Sequence, residues 1–174
     1  MEERRGFIHE KLDIKLLILF VLRRLPAEID GERLADLVLI DGGISYFDYK
    51  DCLAELVESA QVEERENGYL VTAKGSRNGE ILETELPYSV RVKAEKTAAP
   101  VVEEMRRSAM ILANHEVGES GVTVYLAIND GVGDILDMKI LAANEQQAKL
   151  MERNFRKRAE QFYERFTAAL CEEN

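Results

Sequence analysis

The sequence predicts an α+β protein in which helices and one small β-hairpin precede a three-stranded antiparallel sheet and a long C-terminal helix. Three observations support this class. Apolar residues recur at helical spacing up to about residue 60 and again after residue 144. β-Branched and aromatic residues alternate with other residues between residues 122 and 128. Glycine-containing steps separate the β-capable runs.

Three helices are expected before the hairpin. Their predicted spans are His9–Leu25, Gly31–Ile40 and Ser45–Ala60. The first is apolar around most of its circumference, which predicts that it is heavily buried, and Pro26 ends it. Asp30 is a suitable N-cap for the second helix. Ser45, with Asp48 three residues later, has the spacing of a capping box for the third.

A small hairpin follows the third helix. Val62–Glu66 and Tyr69–Thr72 flank Asn67-Gly68, and Asn-Gly between two β-capable runs is typical of a type I′ turn, whose central residues both have positive φ. The hairpin is expected to end in Thr72-Ala73-Lys74-Gly75. Three helices followed by a hairpin are the sequence outline of a winged helix-turn-helix, in which the hairpin is the wing. Helix-turn-helix proteins place a recognition helix in the DNA major groove.

The C-terminal part changes to β periodicity. Three short runs, Ala109–Ala113, Val122–Ile128 and Ile135–Leu141, are separated by turns and predict an antiparallel meander. Asn144, with Gln147 three residues later, then caps a long helix. The apolar stripe of this helix consists of Ala148, Met151, Phe155, Phe162, Phe166 and Leu170. A sheet with one helix lying across it is a stable layer arrangement.

These elements predict three segments. They are a winged helix-turn-helix domain over residues 1–84, a helical connection over residues 85–107, and a small βββα domain over residues 108–174. Pro87 suits the first turn of a helix in the connection. Pro100 is expected to kink that helix or to start another.

The composition limits the classes of function. The formal net charge is −10, and residues 1–84 carry 11 Lys and Arg against 18 Asp and Glu. A dedicated phosphate binder is usually basic, so this balance argues against tight non-specific DNA binding. The longest apolar run, Leu16–Leu22, is too short to span a bilayer, and no secretion signal is apparent. Cys52 and Cys171 lack metal-ligand spacing, so we expect a cytoplasmic protein with reduced thiols and no cofactor.

The N-terminal part resembles PadR-like and MarR-like winged-helix regulators. The matching residues are Tyr49, Leu53, Leu56, Val62 and the run Tyr69–Gly75. In those families the second wing strand often ends in Leu-Thr-x-Lys-Gly. The chain as a whole resembles a bacterial family of unknown function that has a winged helix followed by a small C-terminal α+β region, and the run Leu86–Arg91 contributes to this likeness. The regulator resemblance, which covers less than half of the chain, implies a transcriptional regulator that binds double-stranded DNA, often as a dimer.

Five polar residues are the candidate DNA contacts. They are Ser45, Tyr46, Lys50, Lys74 and Arg77. The first three are expected on the exposed face of the third helix, where they could reach bases and phosphates. Lys74 and Arg77 are predicted at the base of the wing, where they could contact phosphates.

Acidic residues on the same surfaces support a different hypothesis. The third helix carries Asp48, Asp51 and Glu55 at positions where the regulators commonly have Arg or Lys, and the wing carries Glu63, Glu64 and Glu66. Carboxylates are repelled by phosphates, whereas an acidic surface suits a basic protein partner. A protein-interaction module that keeps the winged-helix fold without binding DNA is therefore the alternative.

Phe155, Phe162 and Phe166 on the final helix are the candidate dimerisation residues. They could pack on the sheet or join a partner helix. Leu150 and Tyr163 broaden the apolar stripe enough for both roles. We therefore expect a homodimer.

A basic cluster lies on the same helix. It consists of Arg153, Arg156, Lys157 and Arg158. The cluster could bind an anion or a nucleic acid. Glu152–Arg156 and Arg156–Glu160 have the i,i+4 spacing of helix-surface ion pairs, which favours a solvated helix face instead.

Catalytic chemistry is not apparent in the sequence. His9 and His115 have no cysteine or acid cluster beside them, and no nucleophile elbow or phosphate-binding glycine loop is present. We therefore expect neither an enzyme nor a metal site. A small-ligand sensor in the C-terminal sheet is a third, weaker hypothesis, because the sequence offers only apolar strands for it.

Overall fold

The computed structural model describes residues 8, 10–40, 42–119 and 121–172, and it confirms the α+β class. The chain divides into two compact units, Met1–Met105 and Arg106–Asn174. The N-terminal unit contains helices and a β-hairpin. The C-terminal unit contains a three-stranded antiparallel sheet and a long helix.

The N-terminal unit begins with three helices. Their bounds are α1 Lys11–Leu22, α2 Gly31–Val38 and α3 Tyr46–Glu58. Every residue from Leu16 to Leu22 is buried, so the prediction of a heavily buried first helix is confirmed. The predicted start of this helix, His9, lies outside the described residues. The helix ends at Leu22 rather than at Leu25. The N–H groups of Arg24 and Leu25 bond to the carbonyl groups three residues back, which tightens the chain ahead of Pro26.

Both predicted N-caps are present. The Asp30 carboxylate accepts hydrogen bonds from the backbone N–H groups of Glu32 at 3.1 Å and Arg33 at 3.0 Å. The Ser45 hydroxyl accepts from the backbone N–H of Asp48 at 3.1 Å and donates to the Asp48 carboxylate at 2.6 Å. These bonds satisfy N–H groups that a helix start leaves without partners.

The predicted hairpin forms, but its turn differs from the prediction. Its strands are β1 Val62–Arg65 and β2 Gly68–Val71. Arg65 pairs with Gly68, so the two-residue loop is Glu66-Asn67 rather than Asn67-Gly68. Ala60 is the one described non-glycine residue with positive φ, so the prediction of a type I′ turn was wrong.

A bridge to the segment before α2 explains the glycine in this hairpin. The N–H of Ile29 donates to the carbonyl of Tyr69 at 3.1 Å, and the N–H of Tyr69 donates back at 2.8 Å. Gly68 has φ +153°, and a Cβ there would lie 2.1 Å from the carbonyl oxygen of Ile29. Glycine is therefore needed for the close approach of a neighbouring backbone. Helices α1 to α3, this bridge and the hairpin follow the element order of a winged helix-turn-helix.

The segment after the hairpin is helical from its first residues. It contains α4 Ala73–Ile81, a 3₁₀ turn Glu83–Glu85 and α5 Tyr88–Ala109. The Thr72 hydroxyl accepts from the N–H of Gly75 at 3.1 Å and so caps α4. The hairpin therefore ends at Val71 rather than at Gly75, and Lys74 and Arg77 lie on α4, which follows it directly. Helix α5 continues through Pro100.

The C-terminal unit is the predicted meander with its helix. Its elements are β3 Ile111–Gly118, β4 Gly121–Asn129, β5 Asp134–Ala142 and α6 Glu145–Cys171. The first strand begins at Ile111 rather than Ala109 because Ala109 is the last residue of α5. Alternate residues of the central strand are buried, and Ala148, Phe155 and Ala159 of α6 belong to the same apolar core. The Asn144 side chain caps α6 by accepting from the N–H of Gln147 at 2.8 Å, as predicted.

Helix length and hydropathy bear on the membrane prediction. No helix in the described part of the chain combines the length and apolar character needed to cross a bilayer.

Candidate nucleic-acid interface

The N-terminal end of α3 presents an exposed aromatic and basic surface. Tyr46 is 53% exposed and Phe47 is 82% exposed. The Lys50 ammonium lies 5.7 Å from the centroid of the Tyr46 ring, a cation–π arrangement between two exposed side chains. Phe47 was not among the predicted site residues. Its position one residue after a predicted contact, off the apolar stripe, is the signal that could have identified it.

Ser45, another predicted contact, already has a structural role. Its hydroxyl both accepts from and donates to Asp48, in the cap described above. The same bonds hold the Asp48 carboxylate at the first turn of α3, where a negative charge complements the helix dipole. Of the predicted contacts at this end, Tyr46 and Lys50 therefore remain open to a partner.

Two acidic residues of α3, Asp51 and Glu55, are paired with lysines of α1. The ammonium of Lys15 lies 2.5 Å from the Glu55 carboxylate. Lys11 lies 3.1 Å from Glu55 and 3.8 Å from Asp51. Hydrogen bonds from Lys15 and Lys11 hold the pKa of Glu55 below its usual value, and they outweigh the opposing effect of desolvation. These lysines offset the negative charge that the sequence of α3 alone suggests.

Lys74 and Arg77 lie on a different element. The Lys74 ammonium donates to the carbonyl oxygen of Ser59 at 2.7 Å, at the C-terminal end of α3. A cation there satisfies a terminal carbonyl and complements the helix dipole. Because α3 is 13 residues long, this end lies about 20 Å from the Tyr46 end. Arg77 is exposed and forms no ion pair with any described residue.

The wing carries its acidic residues in three different settings. Glu63 forms an ion pair with Arg65 at 2.9 Å, whose hydrogen bond keeps the pKa of Glu63 below its usual value. Glu64 accepts a hydrogen bond from the Tyr69 hydroxyl at 3.1 Å. Glu66 is exposed in the loop. The wing therefore offers mostly carboxylates to a partner.

The three candidate dimerisation residues differ in exposure. Phe155 is 1% exposed and belongs to the core of the C-terminal unit. Phe162 is 47% exposed and Phe166 is 46% exposed. Both lie beyond Arg158, where φ −135° and ψ 23° interrupt the helical geometry of α6. They line a groove of about 360 Å³ along the last part of the helix.

His115 has acidic neighbours that its sequence position did not reveal. Its Nδ1 lies 2.5 Å from Glu152, and its Nε2 lies 3.9 Å from Glu145. Glu152 instead pairs with His115 and Glu160 with Arg107, so neither i,i+4 ion pair of Arg156 forms, and Arg156 donates to the carbonyl of Ala113. Folding β3 beside α6 creates these contacts between residues far apart in the chain. Within the described ranges, no group of three or more His, Cys, Asp or Glu side chains is placed to hold a metal ion.

Comparison with known proteins gives a family for the chain. No curated protein and no solved structure matches it. A family model described as a domain of unknown function, DUF4364, matches residues 14–170, which include most of the N-terminal unit and nearly all of the C-terminal unit. The chain therefore belongs to the DUF4364 family, a family defined by a domain of unknown function.

Proposed function

We propose that this chain is a dimeric winged-helix transcriptional regulator that binds double-stranded DNA through the N-terminal end of α3. The observation that carries the proposal is the pairing of the α3 carboxylates. Asp51 and Glu55 are engaged by Lys11 and Lys15, while Lys50 is exposed and lies beside the Tyr46 ring. The recognition helix of a helix-turn-helix contacts base edges with its N-terminal residues, and this end of α3 has the fewest unpaired acids.

Individual side chains are suited to separate parts of such an interface. Lys50 would contact a phosphate or a guanine edge, and Tyr46 would contact a phosphate through its hydroxyl or a thymine methyl through its ring. Arg77, exposed on α4, would neutralise a further phosphate. Lys74 has one N–H bound to Ser59, which leaves two donors for a phosphate.

The test is binding of the purified chain to duplexes selected from a random pool, measured by fluorescence anisotropy at two salt concentrations against scrambled duplexes. We expect selective binding that weakens as salt increases. Lys50→Glu should weaken it strongly. Lys96→Glu, at an exposed lysine of α5, makes the same change of charge and serves as the matched control. Equal losses of affinity in the two variants would mean that net charge alone causes the effect, and they would contradict the assignment of α3.

A second function is favoured by one observation. Phe47 is 82% exposed on α3, and exposed aromatic residues often anchor protein partners. The carboxylates of the wing, Glu64 and Glu66, would face a basic partner under this alternative. No binding to any duplex at low salt would support it over DNA binding. The interaction would be identified by a protein that cross-links to position 47. That protein should no longer bind when either Phe47→Ser or Glu66→Lys is introduced.

Dimerisation would use the exposed phenylalanines of α6. Phe162, Phe166 and Leu170, the last 72% exposed, follow one another at four-residue spacing and so share one helix face. An apolar stripe on a solvent-exposed helix is stabilised when a second helix covers it. Two copies would then present two recognition helices to successive half-sites of a palindromic duplex.

A further inference from the structure

A polar cleft in the N-terminal unit is formed by elements other than α3. Its volume is about 570 Å³. The described residues that line it are Arg23, Arg24, Glu80, Glu83, Thr84 and Arg91. They come from the C-terminal end of α1, from α4 and the 3₁₀ turn after it, and from α5. Three guanidinium groups thus meet in one concavity.

In one of the three guanidinium groups every nitrogen already forms a hydrogen bond. The Nε and Nη2 atoms of Arg24 donate to Glu95 at 3.1 and 2.8 Å, and Nη2 also donates to Glu83 at 3.0 Å. Its Nη1 donates to the carbonyl oxygen of Phe20 at 3.0 Å. Arg24 therefore helps to build the wall of the cleft and offers little to a ligand.

The other two guanidinium groups have buried donors without partners. Arg23 donates to Glu83 at 2.7 Å through Nη1, but its Nε is buried and forms no hydrogen bond. The Nε of Arg91 is likewise buried without a hydrogen-bond partner, and no described carboxylate forms an ion pair with this residue. Its cationic group lies 5.7 Å from the centroid of the Tyr88 ring. These Nε atoms are closed to solvent, so the donors that a ligand in the cleft would meet are the Nη groups. Arg23 uses Nη1 for Glu83, and Arg91 forms no hydrogen bond or ion pair with a described residue.

We propose that this cleft binds a small molecule through a negatively charged oxyanion group, a phosphate or a carboxylate, held by Arg91 and Arg23. A guanidinium presents parallel N–H donors that match two oxygens of such a group. The concavity is open to solvent, so a small anion can reach its arginines. The site stands independently of DNA binding, so its test and the duplex-binding test can fail separately.

The carboxylates of the cleft divide into two kinds. Glu83 is held by both Arg23 and Arg24 and so belongs to the wall. Glu80 is exposed and forms no ion pair with a described residue. Its negative charge opposes a bound oxyanion, so removing that charge should tighten binding, an effect that loss of structure would not produce.

The experiment is isothermal titration calorimetry of the full chain with sodium phosphate and, separately, with sodium succinate, each matched in ionic strength with sodium chloride. We expect saturable binding of at least one anion, and the one that binds identifies the ligand class. Arg91→Gln should weaken it by about tenfold or more, because a charged bidentate contact is lost. Glu80→Gln should strengthen it by about threefold. Arg153→Gln, at an exposed arginine of α6, is the matched control and should leave the affinity unchanged.

Two outcomes would overturn the proposal. One is the absence of saturable binding with both anions. The other is an equal loss of affinity in Arg91→Gln and Arg153→Gln, which would indicate general charge attraction. If circular dichroism finds Arg91→Gln unfolded, Glu80→Gln decides the matter, since weaker or unchanged binding in that variant would contradict the assigned cleft.

Discussion

The ammonium of Lys15 on α1 lies 2.5 Å from a carboxylate oxygen of Glu55 on α3. Lys11, one turn earlier on α1, reaches the same carboxylate at 3.1 Å. The first helix of the unit therefore compensates part of the negative charge of the helix that we propose as the DNA reader. Its contribution to the proposed DNA binding would be electrostatic and indirect.

Lys15→Gln should therefore weaken binding to DNA. The substitution leaves Glu55 less well compensated near the phosphates, and we expect a loss of about threefold at low salt that diminishes as salt screens the charge. Anisotropy titrations at two salt concentrations measure it. Lys96→Gln removes the same charge from α5 and is the control. Identical losses in the two variants would mean that the ion pair with Glu55 has no specific role.

Gly68→Ala should destabilise the N-terminal unit severely. The new Cβ would lie 2.1 Å from the carbonyl oxygen of Ile29, at a φ of +153° that L residues rarely adopt. We expect a decrease of more than about 2 kcal/mol in the free energy of unfolding. Gly133→Ala, where no heavy atom beyond the adjoining residues lies within 4 Å of the new Cβ, should change the free energy of unfolding of its own unit by less than about 0.5 kcal/mol. Hydrogen exchange in urea measures the free energy of unfolding of each unit separately. Similar losses in the two variants would contradict the steric explanation.

Gly68 also indicates what the sequence could and could not predict. Local signals located the caps at Asp30, Ser45 and Asn144 correctly, because a cap depends on residues two or three positions apart. Asn67-Gly68 was read as a turn because Asn-Gly is a strong local signal. The bridge from Ile29 that needs the glycine joins residues about 40 positions apart, and no local pattern encodes it.

The candidate site was predicted in part for the same reason. Tyr46 and Lys50 lie where helical periodicity assigned them, on the exposed side of α3. The carboxylate of Glu55 was predicted to be available to a partner, whereas Lys11 and Lys15 pair with it. These lysines lie on another helix, so the pattern of α3 does not reveal them. Lys74 was assigned to the wing because its sequence resembles the end of a wing strand, although the Thr72 hydroxyl starts a helix there.

Stability should depend on pH through Glu83. Burial raises the pKa of this carboxyl, but hydrogen bonds from Arg24 and Arg23 outweigh burial and hold it below its ordinary value of 4.5. Because the folded pKa is the lower one, the stabilisation is fully present above about pH 4.5 and is lost as pH falls through the folded pKa.

Glu83→Gln should accordingly reduce stability at neutral pH and flatten its pH dependence. We expect a loss of about 1–2 kcal/mol at pH 7 and a smaller loss below the folded pKa. Urea denaturation at several pH values measures both quantities. Glu58→Gln, at an exposed carboxyl without an ion pair to any described residue, is the control. A pH profile of Glu83→Gln parallel to that of the unmodified chain would contradict the role of these ion pairs.

Phe155 and Phe162, whose ring centroids lie 5.9 Å apart, should respond differently to substitution. Phe155 is buried in the core of the C-terminal unit, so Phe155→Ala should lower the free energy of unfolding by about 3–5 kcal/mol. Phe162 and Phe166 are half-exposed, so the double substitution Phe162→Glu and Phe166→Glu should leave the fold intact and convert the proposed dimer into a monomer.

Urea denaturation measures the loss of stability in Phe155→Ala. Analytical ultracentrifugation over a range of concentrations measures the loss of the dimer in the double variant. Val132→Glu is the control for the double substitution, because Val132 is 97% exposed in a loop and belongs to neither apolar cluster. If the unmodified chain sediments as a monomer at all concentrations, or if the Phe162→Glu and Phe166→Glu variant remains a dimer, the last part of α6 does not form the dimer interface. DNA binding should weaken with dimer loss, since two linked recognition helices bind a palindromic duplex far more tightly than one does.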